Sequence, residues 1–103
     1  MSDRLEALLN FFEKDPHDTF TIYGIALEFL SNKKYDKAEE YLTLLLKEDP
    51  DYVPAYMQYG QLASTLGRID EARTLFNNGI IAANKSGDKR SAKEMEEFLD
   101  ELE

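Results

Sequence analysis

His17 is the single histidine of the chain, set in the turn Asp15-Pro16-His17-Asp18. With Asp15 and Asp18 it makes the one imidazole–carboxylate grouping that could hold a metal ion. Zinc needs several donors converging on one point, a geometry that a tight turn seldom offers. A solvated turn residue is the expectation. The basic cluster Lys85, Lys89, Arg90 and Lys93 is the second candidate, as a site for a small anion or an acidic peptide. Arg90 and Lys93 each stand four residues before a glutamate, Glu94 and Glu97, the spacing of helical ion pairs. Lys89 and Arg90 also oppose the dipole of the helix they open. Local helix electrostatics is the expected role. Glu94, Glu96, Glu97, Asp100, Glu101 and Glu103 form an acidic end and read as a solvated face. The chain has no cysteine. It also lacks a nucleophile–base pair with supporting context, an HExxH motif and a glycine-rich phosphate loop. No catalytic residue, cofactor or metal is expected, and an enzyme is not. What remains is presentation of a surface.

The balance of the 103 residues fits that reading. Hydrophobic residues make up 43% and charged ones 32%, the composition of one folded domain with a real core. The net charge of −9 repels nucleic acid and anionic membranes, so neither is an expected partner. No signal peptide or membrane span is legible, and an intracellular, cytoplasmic protein is the expectation.

Apolar spacing of three and four residues recurs throughout, and period-two alternation does not. The first helix is expected over 2–14, with Leu5, Leu8, Leu9 and Phe12 on one stripe, and Asp15-Pro16 ends it. The second runs over about 19–31 with Ile22, Ile25, Ala26 and Phe29 inward, capped by Asp18 or Thr19. Asn32 is the expected left-handed residue after it. Asp36 and Glu39 have capping-box spacing for a third helix that buries Ala38, Tyr41, Leu42 and Leu45. The fourth, about 53–65, carries Pro54 in its first turn and Tyr56, Tyr59, Gly60 and Ala63 inward. Gly67 supplies a turn and Asp70 caps a fifth helix that buries Ala72, Leu75, Phe76, Gly79 and Ile80. A loop is expected over Asn84–Gly87. Asp88 then opens a last helix whose stripe is Ala92, Met95, Leu99 and Leu102.

A shift of 34 positions carries Asp15, Pro16, Ala26, Asp36 and Ala38 onto Asp49, Pro50, Gly60, Asp70 and Ala72 with no insertion. A helix–turn–helix unit of that period resembles the tetratricopeptide repeat. One unit reads Tyr56-x2-Tyr59-Gly60-x2-Ala63 and then Ala72-x3-Phe76, with Asn84 where proline is usual. The other reads Ile22-x2-Ile25-Ala26-x2-Phe29, then Ala38-x3-Leu42, then Pro50. Gly67-Arg68-Ile69-Asp70-Glu71-Ala72 is similar to the family's inter-helix turn. The resemblance implies an all-α array of antiparallel helix pairs, six helices in a short right-handed superhelix. Within one domain, 1–103, residues 2–14 would be a leading half-repeat, 19–52 and 53–86 the repeats, and 88–102 a capping helix.

It also implies a function. The family presents a concave face made from the first helix of each repeat. The matching positions here are Phe20, Tyr23, Leu27 and Leu30 in one repeat and Met57, Gln58, Gln61 and Ser64 in the other. The expected protein is a non-enzymatic scaffold binding a peptide or partner protein there, with basic residues beside the ligand's hydrophobic anchors to suit the acidic excess. Two alternatives stay open: that the end helices cover this groove, and that a second copy uses it in a homodimer. Relatives that hold chaperone C-termini use a carboxylate clamp of lysines, asparagines and an arginine. At the matching places stand Tyr23, Leu27, Gln58, Asp88 and Ala92, so that mode is not expected.

Overall fold

The structure is a computed structural model that describes residues 2–102; Glu103 of the acidic end lies outside them. Six α-helices account for nearly all of it: α1 (Asp3–Lys14), α2 (Thr19–Ser31), α3 (Tyr35–Glu48), α4 (Val53–Thr65), α5 (Ile69–Ser86) and α6 (Lys89–Glu101). The described residues contain no strand. They fall into two compact units, one up to Asp49 and the other from Pro50 onward.

In the first unit α1 packs on α2 and α2 on α3. Ser2 caps α1 by accepting from the Leu5 N–H at 3.1 Å. The Asp18 carboxylate caps α2, accepting from the Thr21 N–H at 3.1 Å and from the Thr21 hydroxyl. That second bond satisfies Thr21, a polar side chain buried in the core. The predicted stripes face inward: Leu5, Ile22, Ile25, Ala26, Ala38, Leu42 and Leu45 are buried. Tyr41 makes an edge contact with Phe12, with centroids 5.5 Å apart, and stacks on Phe29 at 5.7 Å.

The second unit packs α5 against both α4 and α6. Ala63, Ala72, Phe76, Ala82, Ala83, Ala92 and Met95 form its buried cluster, closed by half-buried Leu75, Phe98 and Leu99. Side-chain size is redistributed relative to the first unit. Where the first unit has Ala26 and Leu42, the second has Gly60 and Phe76. A Cβ on Gly60 would lie 2.4 Å from the Phe76 ring, so the ring occupies the space a side chain would need. Gly79 likewise admits the Met95 sulfur, 2.5 Å from where its Cβ would be.

Three details of the turns differ from expectation. The left-handed residue after α2 is Lys33, with φ 58°, not Asn32, with φ −94°. The Lys33 N–H donates to the Leu30 carbonyl and the Lys34 N–H to the Phe29 carbonyl. These are the two bonds of a Schellman turn, which puts the left-handed residue one place beyond the cap. Gly67, with φ 77°, ends α4 through the same pair of bonds, to Ser64 and Ala63. Asp36 and Asp70, secondly, are not caps. Lys34 and Arg68 close one helix and at once begin the next, without a side-chain cap. This moves both aspartates into the first helical turn, where they still complement the positive dipole end. Thirdly, Asn84–Ser86 continues α5, which reaches 18 residues before Gly87 turns left-handed. With Asn84 in place of the proline that follows α3, nothing breaks the backbone ladder there.

Candidate functional site

On α2, Phe20, Tyr23, Leu27 and Leu30 recur at three- and four-residue spacing, beside the stripe of Ile22, Ile25 and Ala26. The buried stripe is fully covered, whereas Tyr23, Leu27 and Leu30 are half-buried and Phe20 is 73% exposed. The core leaves this line of side chains over. Its charged neighbour Glu28 pairs with Arg4 of α1 at 2.9 Å, which ties the docked first helix to α2. Leu8 lies against Gly24 on that side.

On α4, Met57, Gln58, Gln61 and Ser64 are all half-buried. Met57 packs against the hydrophobic cluster of its unit and so serves the core as well as the surface. Gln61 and Ser64 are brought together in a cavity of about 270 Å³. Its α4 wall is completed by Thr65, its α6 wall is Phe98, Glu101 and Leu102, and Phe76 forms the floor. Phe76 and Phe98 stack with centroids 5.4 Å apart and planes 20° from parallel. Sequence reasoning named the α4 residues but not the α6 wall. Phe98, Glu101 and Leu102 stand at the three- and four-residue spacing of one helix face, and that was the available signal. Glu101 is exposed, as a solvated face requires, and also borders the cavity.

The chemistry-bearing residues resolve as follows. His17 does not meet Asp15 and Asp18 around a metal; among the described residues no cluster of His, Asp and Glu could hold one. Its Nδ1 lies 2.8 Å from Glu48 Oε1 at the end of α3. That hydrogen bond, then the Glu48 charge, raises the imidazole pKa above 6.5. In the other unit Asp51, 34 residues after His17, pairs with Lys85 at 2.9 Å near the end of α5. Both repeats thus fasten the turn before their first helix to the end of their second, with the charges reversed. Arg90 pairs with Glu94 at 3.3 Å, as its spacing predicts. Asp88 caps α6 on the Ser91 N–H, and hydrogen bonds from the Ser91 side chain and backbone hold its carboxyl below the usual range.

No helix among the described residues is long and apolar enough to cross a membrane. The repeated helix pairs define an all-α helical-repeat module. The tetratricopeptide repeat family model matches residues 29–93. The chain belongs to the tetratricopeptide repeat family. It is 26% identical over 99 residues to a TPR repeat-containing protein of Pseudomonas aeruginosa, covering 96% of this chain and 94% of that one. A tetratricopeptide repeat domain protein of Salinibacter ruber superposes with a TM-score of 0.81 at 32% identity, over 86% of this chain and 90% of that one. The TPR2B domain of yeast Sti1, solved as a complex with pHsp70, superposes at 0.88 with 14% identity, over 95% of this chain and 78% of that domain, a likeness of fold.

Proposed function

We propose that the protein is a non-enzymatic, cytoplasmic scaffold whose first-helix faces bind a peptide segment of a partner protein. The residues assigned to binding are Phe20, Tyr23, Leu27 and Leu30 on α2 and Met57, Gln58, Gln61 and Ser64 on α4. The observation that carries this is Phe20. A phenylalanine 73% exposed heads a line of three further apolar side chains that the core of its own unit leaves half-covered. Aromatic and flexible apolar side chains are the usual anchors of peptide recognition. The complex of the structurally similar yeast domain with pHsp70 supports the class of activity. The clamp positions Tyr23, Leu27, Gln58, Asp88 and Ala92 supply no cation, which argues against a carboxylate-terminated ligand. The net charge of −9 favours a segment with lysine or arginine beside its hydrophobic anchors, bound less tightly as salt is added.

The test is Phe20→Ala, which removes an exposed ring and should leave the melting curve unaltered. A partner is recovered from the native host with wild-type protein, and its purified binding segment is titrated calorimetrically at two salt concentrations. The variant should bind about fivefold or more weakly, the mark of an interface anchor. Equal affinity for wild type and variant would remove α2 from the site. Sedimentation over a range of protein concentrations runs alongside. If wild type dimerises and Phe20→Ala does not, while no partner is lost, the face belongs to a second copy of the chain.

A further inference from the structure

The cavity of the second unit has its own chemistry. We propose that it is a receptor for a single arginine side chain on the bound segment, with Glu101 as counter-ion and Phe98 as stacking surface. The proposal rests on the peptide-binding reading above and gives it one specific subsite. Its size comes first. At about 270 Å³ it falls just below the range of roughly 300–1,000 Å³ that takes a whole small molecule, and it suits one long side chain. Its lining comes second. Among the described residues Glu101 is the only ionisable one in the wall, and no lysine or arginine among them lines it. An exposed negative charge at the rim of this open pocket, on a chain of net charge −9, favours a cation.

The remaining lining distinguishes arginine from lysine. Phe98 is half-buried, and one side of its ring is already covered by Phe76, 5.4 Å away and nearly parallel. That stack holds the Phe98 ring steady, and the part of the ring that lines the cavity can meet a planar cation. A guanidinium stacks on such a surface and offers five N–H donors in a rigid fork, whereas an ammonium is a compact, strongly hydrated point charge. Glu101 follows Phe98 by three residues on α6, so its carboxylate stands on the same helix face as the ring. Gln61, Ser64 and Thr65 share one face of α4 and carry acceptor oxygens for the donors that Glu101 does not take. Leu102 supplies apolar cover for the methylene stem. The same pocket is unsuited to a carboxylate, which would meet Glu101 with no compensating cation.

The experiment is an NMR titration of the full chain, labelled with nitrogen-15, using N-acetyl-arginine N′-methylamide as the probe. The lysine and citrulline counterparts serve as comparisons. The expected result is chemical-shift change concentrated at Gln61, Ser64, Thr65, Phe98 and Glu101, with arginine ahead of lysine. Neutral citrulline, which keeps the shape and loses the charge, should give little. Glu101→Gln, an exposed substitution, should weaken the arginine response about two- to fivefold, as for a solvent-exposed ion pair. Phe98→Leu should erase the preference for arginine over lysine. Shifts scattered over the acidic surface, an equal response to citrulline, or an unchanged titration in Glu101→Gln would overturn the proposal. Those results are independent of the Phe20→Ala measurement. If Phe20→Ala weakens the partner while Glu101→Gln changes nothing, the pocket falls and the peptide-binding reading stands. If the pocket takes arginine but Phe20→Ala leaves the partner's affinity intact, the α2 face falls and the pocket stands.

Discussion

Gly60→Ala sets two effects of similar size against each other, and the geometry decides between them. Gly60 lies inside α4, where alanine is favoured over glycine by about 1 kcal/mol. On helix propensity alone the substitution should stabilise. The new Cβ, however, would sit 2.4 Å from Phe76 Cε1 and 2.7 Å from both Cδ1 and Cζ. The ring must retreat by about 1 Å to reach ordinary contact. Phe76 is 1% exposed and stacked on Phe98, so shifting its ring also disturbs that stack. Overpacking of this kind costs about 1–3 kcal/mol. The net expectation is destabilisation of about 1 kcal/mol, a fall in Tm of roughly 4–8 °C. The first unit supplies the compensation, since its matching pair is Ala26 and Leu42. Phe76→Leu alone should lose roughly 1–2 kcal/mol of packing and stacking. The double substitution should be less harmful than the sum, with a coupling of about 1–2 kcal/mol. Gly24→Ala is the control. Its Cβ would meet only the flexible end of Leu8, at 3.2 and 3.3 Å, so the outcome should be neutral or stabilising by up to about 1 kcal/mol. Urea and thermal melts of the four variants test this. A Gly60→Ala protein as stable as wild type, or strict additivity with Phe76→Leu, would show that the close approach of Gly60 to Phe76 does not govern this core.

Lys33 holds a left-handed conformation, φ 58°, that Gly67 holds in the matching turn; Lys33→Gly should relieve about 1 kcal/mol of strain, partly offset by chain entropy, and a lowered Tm would contradict it. The Glu48 hydrogen bond raises the His17 pKa above 6.5, so its stabilising contribution is complete below that value and fades as pH rises through the folded-state pKa. Glu48→Gln should therefore lower Tm relative to wild type near pH 5.5 more than at pH 8.5, and an NMR titration should return the imidazole pKa toward its ordinary value. A difference that is constant with pH would mean that the His17 charge adds no stability through this pair.

Helix positions and repeat phase were legible in the sequence because their causes are local. Proline at Pro16 and Pro50, glycine at Gly67 and the stripes at three- and four-residue spacing act within a few residues of themselves. The 34-residue shift then placed Ala38 and Ala72 at the same inner positions, and both are fully buried. The candidate site was legible only as a set of leftover positions, Phe20, Tyr23, Leu27 and Leu30, that the buried stripe did not claim. What they engage, if anything, is not written in their own spacing. Tertiary structure alone decided the rest. Asp36 has capping-box spacing to Glu39 and Asp70 stands at the matching place, yet the Schellman turns before them put Lys34 and Arg68 at the cap positions. His17 meets Glu48 31 residues away, a partner no local rule selects from among the many carboxylates. Glu101 becomes the charge of a cavity only because α6 lies against α4 and α5. A periodic sequence declares which face of a helix is apolar; only packing determines which neighbour that face meets and what space is left between them.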